Sequence, residues 1–544
     1  MTETVRANLY VMPVPSAVST NSPPTSGDTH ILAAEGELLS SIETWINDIF
    51  TPISDGFSAF VFAEISMFGI SFPWIVAWLI LAATVFTVYF GFIQFRKFKL
   101  ATQIVRGKFT DKSEPGEIHH FQALASALSG TVGLGNIAGV GVAVTIGGAG
   151  ATFWMIFAGL LGMCTKFVEC TLGVRYREEH ADGTVSGGPM YYLRKGIPER
   201  FPNAFGAGLG KVLAVLTAIG ILFFGIAGGS MFQANQTFQQ VRDVTGGDGG
   251  LFGSDGSALI FGIVLALIIG AVIIGGIKSV GAVTGRLVPA MALVYIAACL
   301  LVIVMNLGQV PGAVGEIVSG AFTGEGVAGG AIGALIVGFQ RSAFSNEAGL
   351  GSAPIAHSAV KTKNPATEGF VALLEPFIDT VVVCTMTALT IVIASPQMWL
   401  DTKATVAAGG DAPDNEQGVT ITSEAFGTVL PWFPYVLTVA VVLFAISTMI
   451  TWGYYGQKAW TYLFGKSRIG ERIYQVLFCL TGVAGCVLTL GSVLSFADAV
   501  VFSLALFNII GLYLLMPIVK KEVQTFLGKL KSGEVQRTDK EPQG

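Results

Sequence analysis

Ser129-Gly130-Thr131-Val132-Gly133-Leu134-Gly135-Asn136-Ile137-Ala138-Gly139 breaks an apolar segment with glycines and an asparagine. A second interruption, Phe344-Ser345-Asn346-Glu347-Ala348-Gly349-Leu350-Gly351-Ser352, lies far downstream in another apolar segment. In hydrocarbon, an unpartnered backbone amide or carbonyl costs several kcal/mol, so helix breaks persist only where they line a protein cavity. Two breaks at comparable places in two halves point to a binding site near the bilayer midplane, of the kind discontinuous helices build in transporters. Close helix packing accounts for Gly139-Val140-Gly141 and Gly147-Gly148. It does not account for Asn136 beside Gly135, or for Ser345-Asn346-Glu347 in mid-segment, where polar groups are costly without a function.

Composition agrees. Of 544 residues, 52% are hydrophobic and only 12% charged, against roughly 25% charged in soluble domains. The mean hydropathy is +0.66. This is the composition of an integral membrane protein with the lipid bilayer as its surroundings. Neither the net charge of -5 nor any basic patch with interleaved aromatics suggests nucleic acid. All six cysteines (Cys164, Cys170, Cys299, Cys384, Cys479, Cys486) fall in apolar segments without metal-ligand spacing and read as packing residues. The five histidines show no metal spacing either, and His119 and His120 read as solvated loop-end residues. Gly133-x-Gly135-x-x-x-Gly139 has the wrong spacing for a dinucleotide fingerprint and lies inside a span. With no nucleophile–base arrangement, the chain does not read as an enzyme, and neither an organic cofactor nor a transition metal is expected.

Residues 1–30 are rich in Pro, Ser and Thr and read as a disordered tail. In 31–55, Leu38, Leu39, Ile42, Trp45, Ile46 and Ile49 share one helical face, so 31–71 reads as an interfacial amphipathic helix region. Eleven apolar stretches follow, with cores near 73–95, 121–146, 150–173, 211–235, 257–276, 285–307, 326–345, 367–395, 429–453, 474–492 and 496–518. They make 72–518 an all-α polytopic membrane domain, and 519–544 a cytoplasmic C-terminal tail. Lys and Arg crowd the loops on one side, from Arg96, Lys97 and Lys99 to Lys458, Lys466, Arg468 and Arg472; the other side has only Arg6, Arg242 and Lys403. The asymmetry places the N-terminus outside and the C-terminus in the cytoplasm. The broken helices are the second and seventh spans, and an odd offset of five makes the two halves run in opposite directions. That is an inverted five-plus-five repeat (about 119–307 and 326–518) preceded by one extra N-terminal helix.

At these residues the sequence resembles the alanine/glycine:cation symporter family, also called sodium:alanine symporters. The matching strings are GTVGLGNIAGV (130–140), GGAGATFWM (147–155), SGGPMYYL (186–193), GGIKSVGAVTG (275–285), FSNEAGLGSAPIA (344–356) and DTVVVCT (379–385). Residues 1–70 and the C-terminal tail carry none of this resemblance. The family is similar to LeuT-type transporters. The resemblance implies symport of alanine or glycine into a prokaryotic cell across its plasma (inner) membrane, with Na+ as the coupling ion. Proton coupling and, further off, a passive ion channel are the alternatives.

The half-helix restarting after Gly133 to Asn136, through Leu134 and Gly135, offers N–H groups and a positive dipole end to a carboxylate. Carbonyls freed around Phe344, Ser345 and Asn346 can accept from an ammonium or coordinate sodium. The resemblance places Thr131, Gly133, Leu134, Asn136, Gln233, Phe344, Thr448 and Trp452 at the substrate site. Gln233 can bond the substrate or a neighbouring helix; Trp452 limits pocket volume or anchors at the interface. Asp379 suits a hard cation, or partners Arg341, or is a helix-start charge. Ser447 and Thr448, with second-span carbonyls and Asn136, form the alternative cation site suggested by LeuT-type relatives. Arg341 and Glu347 flank the second break and are expected to pair. Lys166 and Glu169 share a face of the third span and are expected to snorkel to the interface. The tenth and eleventh spans show no comparably informative polar cluster.

Overall fold

Long apolar runs satisfy their backbone polar groups internally by coiling into helices, and helices dominate the fold. The computed structural model describes residues 41, 44–45, 48–49 and 51–535, apart from 68–69, 112, 324–329, 409, 411–414 and 489–490. Helix α1 is Trp74–Tyr89. The first break separates α2 (His120–Thr131) from α3 (Ala138–Ile146). Then come α4 (Ala151–Arg175), α5 (Ala204–Val244), α6 (Asp255–Ile273) and α7 (Gly276–Met305). The second break separates α8 (Gly330–Asn346) from α9 (Ala353–His357). Helices α10 (Pro365–Ala394), α11 (Phe433–Phe464), α12 (Arg468–Val487) and α13 (Gly491–Ser532) complete the bundle.

Among the described residues, seven helices are long and apolar enough to cross a membrane. The count is eight if α2 and α3, bent by 63°, form one span. The other three of the eleven expected segments are helical too. Helices α1 and α8 have 16 and 17 residues, and α12 carries Arg468, Glu471 and Arg472 in its first turns.

The elements recur in order. A broken helix (α2–α3), an unbroken span (α4), a connecting helix (Pro189–Arg200) and three long helices (α5–α7) make the first set. A broken helix (α8–α9), a span (α10), two connecting helices (Gln397–Ala407 and Asn415–Gly427) and three helices (α11–α13) make the second.

Two segments differ from expectation. The tail 1–30 lies outside the described residues, but within 31–71 the chain is helical at 51–61 and then turns back on itself. Glu64–Met67 pairs antiparallel with Ile70–Pro73, tied by a Ser66–Ser71 hydroxyl contact of 2.8 Å. Pro73 then opens α1. At the other end α13 continues past residue 518 to Ser532 without interruption.

Helices α5 and α10 each contain a wide, π-type turn, Ala227–Phe232 and Phe377–Cys384. Such turns loosen the hydrogen-bond ladder and often mark functional positions. Near the first break the backbones almost touch: a Cβ added to Gly141 on α3 would lie 2.5 Å from the Gly418 carbonyl oxygen. Gly141→Ala should therefore cost about 1–3 kcal/mol by overpacking, read as a lower melting temperature of the purified protein. Gly139→Ala, whose Cβ would meet nothing within 4 Å, should leave it unchanged.

Candidate functional site

Each break frees backbone groups that lipid cannot satisfy, and buried side chains supply the missing partners. At the first break, the Asn136 side chain turns back so that its Oδ1 accepts from Gly133 N at 2.8 Å. A short turn at Leu134–Asn136 leads into α3. At the second, Glu347, Gly349 and Gly351 adopt positive φ of 54°, 97° and 85°. That region is easy for glycine and costly for glutamate. Ala348 N donates to Asn346 Oδ1 at 3.0 Å, and Ser352 Oγ donates to the Glu347 carboxylate. Gly351 N donates to Glu169 Oε1 at 2.9 Å, and Asn508 Nδ2 donates to both Gly349 O at 2.8 Å and Glu169 Oε1 at 2.5 Å.

One carboxylate joins the breaks. Asp379, fully buried in the wide turn of α10, accepts from Asn136 Nδ2 at 2.8 Å on one oxygen. Its other oxygen accepts from Ser345 Oγ at 2.7 Å and Thr380 Oγ1 at 2.8 Å. Asn136 Nδ2 also lies 3.0 Å from Ser345 Oγ, 3.2 Å from the Asp379 carbonyl and 3.2 Å from Cys384 Sγ. Asp379 thus lies within α10, in the first turn of its wide segment, inside a shell of hydroxyl and amide groups.

The other expected residues gather around the first break. A Cβ on Gly135 would meet Phe344 and the Ser345 Cα at 3.7–3.9 Å; one on Gly133 would lie 2.9 Å from Thr448 Oγ1. Thr448 Oγ1 and Ser447 Oγ approach the Ser129 carbonyl at 3.1 and 3.4 Å, and Ser129 Oγ returns a bond to Ser447 O at 2.6 Å. Thr131 bonds back to its own helix, and Leu134 is buried beside it. Trp452, one helical turn past Thr448, is 1% exposed. It packs edge-on against Phe224 at 4.6 Å and lies over Gly229, where a Cβ would come within 2.4 Å. This is an interior wall, not an interfacial belt. Gln233 follows the wide turn of α5; its Nε2 reaches Gly228 O at 3.4 Å, while its buried Oε1 has no hydrogen-bond partner.

Three expectations are corrected. Lys166 and Glu169 do not snorkel: both are 0% exposed, because Gly351 N–H needs Glu169 and Glu375 needs Lys166 at 3.3 Å. Glu347 accepts from the Ser352 hydroxyl instead of pairing with Arg341. His120 is 2% exposed and bonded to Glu368, not solvated. Asn508, on the span thought uninformative, was missed along with Thr380 and Ser129. A lone amide in the apolar run of α13 was its only signal.

Two broken helices clasped through a buried carboxylate inside a bundle of apolar spans define a multi-pass membrane transporter. The chain belongs to the sodium:alanine symporter family, whose model matches residues 56–540. It is 39% identical over 455 residues to the sodium/alanine symporter AgcS of Methanococcus maripaludis, covering 84% of this chain and 94% of that protein. It is 34% identical over 450 residues to the amino-acid carrier protein AlsT of Bacillus subtilis, covering 82% and 88%. A solved structure, MhsT in complex with L-phenylalanine, matches with a TM-score of 0.46 and 15% identity over 76% of this chain and 99% of that one. The family and these relatives are transporters, and the chain is a symporter rather than an enzyme.

Asn508→Ala would strip donors from Gly349 O and Glu169 together. Leaving buried polar groups unpaired costs about 1–3 kcal/mol, so the variant should melt earlier than the parent even with no cargo present.

Proposed function

We propose that this chain carries alanine or glycine into the cell together with sodium by alternating access, with its basic loops in the cytoplasm. The observation that carries the reading is the single carboxylate, Asp379, bonded at once to Asn136 of the first break and Ser345 of the second. A zwitterion needs donors for its carboxylate, acceptors for its ammonium and a small apolar wall. The first N–H groups of a helix have no partner within it, and they begin at Gly133 and Leu134. Carbonyls at the end of α8 accept the ammonium, and Phe344 with Trp452 confines the methyl.

Sodium prefers oxygen ligands. The Asp379 carboxylate and the Ser345 and Thr380 hydroxyls supply them, and a half-turn of the Asn136 amide adds its Oδ1. That half-turn takes Oδ1 away from Gly133 N–H. The freed donor then faces the place where the alanine carboxylate docks. Binding of one cargo thus prepares the site of the other, which is a coupling free energy and therefore reciprocal.

Uptake of labelled alanine into proteoliposomes tests the reading. An imposed sodium gradient should drive uptake that saturates with external sodium and ranks alanine and glycine far above leucine. A net positive charge moves with each neutral zwitterion, so an inside-negative potential should accelerate it, by about 2.3 kcal/mol per 100 mV per charge. Asp379→Asn should raise the sodium concentration for half-maximal uptake more than it alters alanine selectivity. If it does not, the Ser129 carbonyl with Ser447 and Thr448 takes over the cation role. Trp452→Ala should admit larger amino acids, since rejection here is steric. Uptake driven by a proton gradient without sodium would overturn the sodium assignment.

A further inference from the structure

A second buried chain of titratable side chains crosses the fold on the side of α2 and α9, made of residues that are not assigned to alanine or sodium. His120 Nδ1 of α2 meets Glu368 Oε1, and the other oxygen of Glu368 meets His357 Nδ1 at the end of α9. His357 Nε2 meets Glu375 Oε1 at 2.5 Å, and Glu375 Oε2 pairs with Lys166 Nζ of α4 at 3.3 Å. All five side chains are 0–2% exposed.

Counting hydrogens across this chain gives a definite answer. Its three imidazole–carboxylate contacts each need one hydrogen. A neutral imidazole carries a single N–H, and an ionised carboxylate carries none. Two neutral histidines supply two of the three, so the third contact requires one more proton, on His357 or on a carboxylate facing it. With that proton the five groups sum to zero charge: Lys166 and the added proton balance Glu368 and Glu375. Without it a net negative charge stays buried, which is costly in a membrane interior.

The neighbours do not alter the hydrogen count. Glu169 accepts on Oε1 from Gly351 N–H and Asn508 while its Oε2 has no hydrogen bond, and Glu347 accepts from Ser352, so neither gives a hydrogen to the three contacts. Lys166 faces Glu169, Glu347 and Asp379 as well as Glu375, and Cys170 and Tyr455 also face Glu375 without joining the three contacts. Cys170, His357 and Glu375 lie close enough to share one ion. However, both nitrogens of His357 are committed to carboxylates and Lys166 already neutralises Glu375, so the group has no free ligand set for a metal.

We propose that His120, Glu368, His357 and Glu375 form a proton-binding site that latches both half-helices, α2 and α9, onto α10, and that loss of its proton releases α2. The protonated chain holds all three contacts. The deprotonated chain must give one up and carry an unbalanced charge. Opening at this end therefore releases a proton, and a higher pH at the facing solution favours opening. If the basic loops face the cytoplasm as proposed above, cytoplasmic pH regulates the inward-opening step.

The test reads the movement of α2 in membranes without sodium or alanine, so its outcome is independent of which cargo the protein carries. Ser126 on α2 is fully buried, with its Oγ 3.1 Å from Thr284 Oγ1 of α7. Ser126→Cys serves as a reporter, its thiol-labelling rate taken above that of the parent chain and normalised to the unfolded chain at each pH. Between about pH 6 and pH 9, the range around an ordinary histidine, labelling should accelerate with pH by up to about tenfold per unit while one proton leaves. Adding His357→Gln should flatten this dependence. Adding His120→Ala, which cuts α2 from the proton site, should give fast labelling at every pH. A flat profile in the Ser126→Cys protein, or an unchanged slope in His357→Gln, would overturn the proposal. Should His357→Gln fail to fold, persistence of the slope in His120→Ala overturns it equally.

Discussion

Everything at the centre of this protein follows from one constraint: a helix that breaks inside a membrane must find partners for its freed backbone groups within the protein. The two breaks meet it differently. The first is closed from within, by Asn136 reaching back to Gly133 N. The second borrows from distant helices, taking Glu169 from α4 and Asn508 from α13. Because the partners of the second break are themselves polar and buried, they need partners in turn. Tyr192 donates to Asn508, and Lys166 and Glu375 neutralise one another close by. A break in one helix thus recruits polar residues on at least three others, and this explains why so many charges sit in so apolar a chain.

Asp379 links this structural repair to both half-helices at once. Asn136 belongs to the closure of the first break and also donates to Asp379, while Ser345 at the end of α8 donates to the other oxygen. A change in the charge facing Asp379 is felt at both half-helices through single hydrogen bonds. Coupling between two ligands needs only that each prefers the same arrangement of a shared element, and in the proposed cycle the Asn136 amide is that element.

Much of this was legible in the sequence. The breaks announce themselves because glycines beside Asn136 and Ser345 have no packing explanation, and Asp379 because a carboxylate in an apolar run has few uses. What periodicity could not supply was the facing of one helix toward another. Lys166 and Glu169 occur near a helix end, where the interface is the ordinary destination; only the position of Gly351 N–H and Glu375 shows that they point inward. Asn508 was overlooked and His120 misplaced in solvent for the same reason, since a single polar residue signals a partner without saying which. The hairpin at 64–73 escaped because helical spacing of the apolar residues upstream hid a short strand pair tied by Ser66 and Ser71.

The two ends of the broken helices are built from opposite materials. Around α3 the packing is of small and branched apolar residues, Val140, Val142, Ala143 and Val144 with Ile391 and Trp399, and of glycine backbones in contact at Gly141 and Gly418. Around α2 and α9 it is a buried chain of carboxylates, imidazoles and an ammonium. Apolar packing is non-directional and roughly proportional to area, so parting it costs free energy that grows gradually with the surface exposed. A buried ionic chain is satisfied only in a narrow geometry, and removing one partner leaves another charge uncompensated. The apolar end can therefore yield by degrees, whereas the ionic end tends to be either fully made or fully broken. In the alternating-access cycle proposed above, a carrier in which one end parts smoothly and the other switches has a natural order of opening and closing, set by the chemistry of the two halves and not by the symmetry of their folds.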